Sequence, residues 1–169
     1  MKGRSVSIFL TLFILVSVPF LQGCLRNDDL YNLNEILTRE NQTIDNYITT
    51  NGINAITDPV YGIRFSYEEE GEGIKAINGD GVKMNYSVRL LDGTVIEENK
   101  TATFRKGARQ VIDGLEIMMI LMRTGDKVKA FIPSPYAYRD QQRGNIPPNS
   151  ILVFDLEMTD IDYGSYDFD

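Results

Sequence analysis

The chemistry open to this chain is bounded first by what it lacks. Its 169 residues include no histidine and one cysteine, Cys24. Ser-His-Asp and Cys-His nucleophiles are therefore impossible, as is a His-ligated metal site. The carboxylates Glu97-Glu98 make a poor acid–base pair for glycoside chemistry, because neighbours on a strand point to opposite faces. Gly71-Glu72-Gly73 is no phosphate cradle, since it is acidic and no helix follows it. A net charge of −7 without a basic stripe argues against nucleic acid. A Ser-Lys or carboxylate-based hydrolase stays formally open. Non-covalent chemistry has a better candidate in Gln110 to Gly125, Q-V-I-D-G-L-E-I-M-M-I-L-M-R-T-G. At its start, Val111, Ile112 and Leu115 could line a cleft, and the turn into a helix could offer a backbone N–H.

The elements that must position that site follow from periodicity. Val111, Ile112, Leu115, Met118, Met119 and Met122 recur at helical spacing. Asp113 and Glu116 could cap the first turn reciprocally, Arg123 suits the last turn, and Gly125 a stop. Around this short helix everything reads as strand. Ile63, Phe65 and Tyr67 alternate with polar residues, then a glycine-rich acidic connection runs from Glu68 to Gly81. Val82, Met84, Tyr86, Val88 and Leu90 alternate cleanly up to an Asp92-Gly93 turn, and Thr94 to Glu97 runs back as a hairpin. Thr101 to Phe104 is another extended piece. Val128, Ala130 and Ile132 form a strand stopped by Pro133-Ser134-Pro135. Pro135 to Pro148 is a loop long enough to be functional or mobile. Leu152 to Met158 starts apolar on both faces, which suits a central strand.

These pieces predict an α+β domain over residues 62–161, with about five mostly antiparallel strands curled over one helix that must bury its apolar face. A shallow cleft is expected between the sheet, the helix start and the long loop. Residues 24–61 read as a tether of one or two amphipathic helices, interrupted around Glu40-Asn41-Gln42 and stopped by Asn51-Gly52. Residues 162–169 read as an acidic tail.

Residues 1–23 read as a targeting segment. Lys2 and Arg4 precede an apolar run, Ile8 to Phe20, too short for a stable span. Leu21-Gln22-Gly23-Cys24 resembles the lipobox of bacterial lipoproteins. That resemblance implies cleavage before Cys24, lipidation there, and a membrane anchor in the cell envelope. Leu25 in place of Asp favours the outer membrane.

The order of the domain's motifs resembles the FKBP-type peptidyl-prolyl cis-trans isomerases. The stretches that carry the likeness are Gly79-Asp80-Gly81-Val82-Lys83-Met84-Asn85-Tyr86, Leu91-Asp92-Gly93-Thr94, Val111-Ile112-Asp113-Gly114-Leu115 and Gly125-Asp126-Lys127. Ile132-Pro133, Tyr136-Ala137-Tyr138, Ile146-Pro147-Pro148-Asn149 and Leu152-Val153-Phe154-Asp155 complete it. The resemblance implies an FKBP-like half-barrel, proline-containing polypeptides as substrates, and no cofactor or metal. It implies that the Ile112 N–H and the Tyr138 hydroxyl hold substrate carbonyls, that Val111, Ile146 and Phe154 form apolar walls, and that Tyr86 stands at the rim. Four positions depart from the family pattern. Ile96-Glu97 replaces Phe-Asp, Leu115 replaces the frequent Trp floor, Ala102 stands where an aromatic wall is usual, and Arg139 replaces Gly. The pocket is expected to be apolar but shallower, and the hydrogen bond of Glu97 to Tyr86 or Tyr138 could be misplaced. The function implied is a prolyl isomerase assisting the folding of exported proteins. The alternative is a catalytically weak FKBP-like chaperone, or a partner-binding subunit of a cell-envelope or gliding-motility complex; a third reading is a lipoprotein whose fold is only a spacer.

Overall fold

The computed structural model of the protein describes residues 27–163. The targeting segment, Cys24 and the tail beyond Tyr163 lie outside the described residues. The chain runs α1 (Asn27–Thr50), β1 (Ile56–Thr57), β2 (Arg64–Glu69), β3 (Gly81–Leu90), β4 (Val95–Arg105), α2 (Asp113–Leu121), β5 (Lys127–Ile132) and β6 (Leu152–Asp162), with a 3-10 turn at Ser134–Tyr136. The strands make one antiparallel sheet in the order β1-β2-β5-β6-β3-β4. β6 is central, as its two apolar faces require. The sheet has six strands because the two-residue β1 pairs with β2, so it starts at Ile56, ahead of the expected boundary at residue 62. The two extended pieces expected on either side of residue 99 form one strand, β4.

The concave face of the sheet curls over α2. Val82, Met84, Val88, Val128, Ala130, Ile132, Phe154, Leu156 and Met158 meet Leu115, Ile117, Met118, Met119 and Met122 in one core. Full burial of a side chain such as Met118 contributes roughly 1.5–3 kcal/mol over leaving it exposed. Close approach makes this seating possible, because a Cβ on Gly114 would overlap the Ile132 side chain. Gly71 has an equally local reason. Its N–H donates to Asp126 Oδ1 at 2.7 Å where the connection crosses the Thr124–Asp126 backbone, with no room for a side chain.

The expected cap of α2 does not form. The N-cap is Ile112, without a side-chain bond, and Glu116 instead accepts from the Gly107 and Arg109 N–H groups at 2.9 and 3.0 Å. The carboxylate is thus drawn back to order the loop before the helix. Arg123 falls beyond the last turn, because the helix ends at Leu121.

The convex face is divided. At one end Phe131 and Val153 are buried under Ile44 of α1, with Tyr47, Ile48 and Ile151 around them. At the other end Lys127, Lys129, Arg89, Glu68, Glu69, Asp155 and Glu157 form a partly exposed ion-pair network. Within the tether, α1 is therefore one continuous helix, and Ile44 docks it on the domain. The expected interruption at Glu40–Gln42 is absent because Glu40 is a buried contact and not a break. Among the described residues no helix is long and apolar enough to cross a membrane.

Candidate functional site

A cleft of about 200 Å³ opens where the concave sheet, the start of α2 and the long loop after β5 converge. β3 and β6 supply its back wall. Inward-facing Tyr86 and Val88 pair in register with Leu156 and Phe154. Alternation alone would send the consecutive residues Ile96 and Glu97 to opposite faces. The β3–β4 register shifts on both sides of Val88, and both side chains reach the cleft. A β-bulge re-aims side chains in this way.

Leu115 lies at the cleft from the first turn of α2, and it is nearly buried. Val111 and Ile112 stand just before that turn. The Ile112 carbonyl accepts from Leu115 and Glu116 at 3.0 and 3.2 Å, while its N–H donates to no protein group among the described residues. That pattern belongs to a helix start, where the leading N–H groups have no partner within the helix.

Tyr138 and Ile146 come from the long loop. Ile146 is held by a two-way backbone pair with Arg143 at 2.8 and 3.0 Å. The Arg143 guanidinium lies 5.9 Å from the centre of the Tyr138 ring. Arg139, which comes after Tyr138, has φ of 55°, its N–H donating to Ser134 O at 2.9 Å. Left-handed backbone is where glycine is at ease, so the unusual Arg retains the conformation at some strain.

The polar part of the cleft is Tyr86, Glu97 and Tyr138. Burial raises the Tyr86 phenol above its ordinary pKa, and Glu97 adds to this both as hydrogen-bond acceptor and as a nearby negative charge. Glu97 stands beside Tyr86 in the cleft wall, with its charge close enough to act on the phenol. The Tyr86 ring also leans on Phe104, with centroids 6.0 Å apart.

All nine residues singled out from the sequence, Tyr86, Ile96, Glu97, Val111, Ile112, Leu115, Tyr138, Ile146 and Phe154, line this one cleft. Ala102 does not; its place is in β4 opposite Met84. Sequence reasoning passed over Val88, Phe104, Gln110 and Leu152, which also line it. Val88 and Leu152 were within reach, since they share the alternation of Tyr86 and Phe154. Gln110 carried no signal, because only the folded loop brings it to the rim.

A curled antiparallel sheet over one short helix, with an apolar cleft at the helix start, is the architecture of FKBP domains. A family described as FKBP-type peptidyl-prolyl cis-trans isomerase matches residues 72–159, over half the chain. The chain belongs to that family. It is 38% identical over 112 residues to the FKBP-type peptidyl-prolyl cis-trans isomerase FkpA of Aeromonas hydrophila, covering 64% of this chain and 41% of that protein. The crystal structure of FkpA from Escherichia coli superposes with a TM-score of 0.63 at 26% identity, covering 80% of this chain and 63% of that one. That of AtFKBP13 gives a TM-score of 0.56 at 33% identity, covering 60% and 94%. The chain thus spans about two fifths of the length of the Aeromonas relative.

Proposed function

We propose that the cleft takes an X-Pro segment and speeds rotation about its amide bond, so that the protein acts as a peptidyl-prolyl cis-trans isomerase on exported polypeptides. The observation that carries this reading is the convergence of apolar walls on an unpaired backbone donor at Ile112 and a phenol at Tyr138. The reaction needs nothing more reactive. The barrier to rotation, about 18–20 kcal/mol, is the amide resonance itself. A planar amide carries charge separation that water stabilises, and a twisted one loses it. Walls such as Val111, Ile146 and Phe154 therefore disfavour the planar form relative to the twisted one. A donor fixed on the carbonyl holds one side of the bond while the prolyl side turns. Each tenfold in rate needs only about 1.4 kcal/mol of such preference. Tyr86, kept protonated by burial and by the nearby Glu97 charge, stands neutral at the rim.

The decisive measurement is cis–trans exchange of an X-Pro peptide, by NMR or a protease-coupled assay. Exchange well above the spontaneous rate is expected. A folded protein that leaves the spontaneous rate unchanged would reject the reading, and peptide binding without acceleration would point to a holding chaperone. The lipobox-like run before Cys24 supports anchoring in the cell envelope, in the outer membrane by the identity of Leu25. Cys24→Ser should move the protein from the membrane fraction to the soluble one; unchanged sedimentation with membranes would count against the anchor.

A further inference from the structure

The cleft's loop is fastened from behind by a residue of the tether helix. Glu40 is 4% exposed and Ser134 1%, and both are polar in an otherwise apolar junction. The Glu40 carboxylate accepts from the Ser134 N–H at 2.6 Å and from the Ser134 hydroxyl at 2.7 Å. Ser134 in turn organises the start of the site loop. Its carbonyl accepts from the N–H groups of both Ala137 and Arg139 at 2.9 Å, and these two residues flank Tyr138. One buried carboxylate thus sets the first residue of the turn, and that turn sets the direction of the Tyr138 side chain. Charge-assisted bonds of this kind are short and about twice as strong as neutral ones. Apolar contact alone would dock the helix, as Ile44 on Phe131 and Val153 already does. The carboxylate adds a fixed geometry at the point where the site loop begins.

We propose that Glu40 is a positioning residue for the cleft, acting through Ser134 to hold the turn that carries Tyr138, so that the tether helix is a working part of the site. The proposal rests on the isomerase reading and extends it to a segment outside the FKBP-matched region.

The test compares four variants of the same chain in X-Pro exchange and in amide hydrogen exchange at Ala137 and Arg139. Glu40→Ala is expected to lower kcat/KM about tenfold, since displacement of a contacting group by an ångström can cost up to about a hundredfold. It should also speed exchange at those two amides while the amides of β3 and β6 stay protected. Glu40→Gln, which keeps an acceptor of the same length, should recover most of the activity. Asp45→Ala, on the same helix as Glu40, removes the ion pair of α1 with Arg64 of β2 and should leave kcat/KM unchanged. Should Glu40→Ala not fold, Ser134→Ala is read in its place, with a loss of about threefold expected, under the roughly tenfold of a full charge-assisted contact. Unchanged kcat/KM and unchanged amide exchange in folded Glu40→Ala would overturn the proposal. So would an equal loss in Asp45→Ala, because simple helix docking would then suffice. If the parent chain itself catalyses nothing, the isomerase reading fails, and the amide-exchange arm still decides whether Glu40 holds the turn.

Discussion

Two apolar surfaces lie on opposite faces of the same sheet, and they have opposite fates. On the convex face Phe131 and Val153 are sealed by Ile44 of α1, all three at most 3% exposed. On the concave face the walls around Phe154, Ile146 and Val111 close on about 200 Å³ of open space. The first surface is filled by the protein's own chain and returns its burial as stability. The second is left unfilled, and the stability forgone there keeps a hollow that another chain's side chain can occupy. Similar residues therefore do different work according to what the fold lays over them.

The comparison can be broken most forcefully at Phe131. Phe131→Ala should destabilise the fold by about 4 kcal/mol in denaturant titration, since a sealed site cannot refill. Phe154→Leu should reverse the balance, with about 1 kcal/mol lost from stability but a kcat/KM drop of about tenfold, read in the exchange assay. If Phe131→Ala lowered activity per folded molecule more than Phe154→Leu, the division between the two faces would collapse.

Tyr138→Phe tests the polar edge of the hollow. A fall of about fivefold in kcat/KM is expected from losing one neutral hydrogen bond, with unfolding free energy moved by under about 0.5 kcal/mol. Equal activity would remove the phenol from the mechanism.

Glu97→Gln addresses the raised Tyr86 phenol. Without the acceptor's negative charge, its pKa should fall back toward the ordinary tyrosine value, leaving the part due to burial. Phenolate absorbance against pH measures this. Linkage fixes the direction for the parent protein. The folded phenol keeps its proton to higher pH than the unfolded one, so its contribution to stability is complete below about pH 10 and is lost as pH rises through the folded value. With no histidine in the chain, kcat/KM should show no imidazole step between about pH 6 and 8.

The smallest effect is expected at Arg139. Arg139→Gly relieves left-handed strain but frees the unfolded chain, so the net change in stability should stay within about 1 kcal/mol. A larger loss would mean that the Arg139 side chain, whose Nε reaches Pro135 O at 3.4 Å, holds the loop more than its backbone does.

Much of this was legible before any coordinates. Alternation along Val82–Leu90 and Leu152–Met158 and the single helix after Gln110 set the main strands, the helix and, at its start, Val111, Ile112 and Leu115, because period and turn chemistry are local properties of a chain. The other six cleft residues came through the likeness of the ordered motifs to the FKBP family. The face that α1 would choose was hidden, although the clue stood in β5 and β6. Phe131 and Val153 are apolar on the outward face at one end, whereas Asp155, Glu157, Lys127 and Lys129 occupy the other. The capping residues were misread for the same reason. Asp113 and Glu116 have suitable spacing, but the loop from Gly107 to Arg109 competes for the Glu116 carboxylate, and no local pattern records that competition.

What the sequence determined by itself was therefore the main strands and the domain's helix, the absence of His-dependent nucleophilic and His-ligated chemistry, and the helix-entry candidates for an apolar site. Tertiary structure alone decided that β4 bulges to bring Ile96 and Glu97 to one cleft, and that Glu40 reaches Ser134 across 94 positions of chain. Those outcomes depend on which surfaces meet when the sheet curls, and residues far apart in sequence come into contact only through that closure.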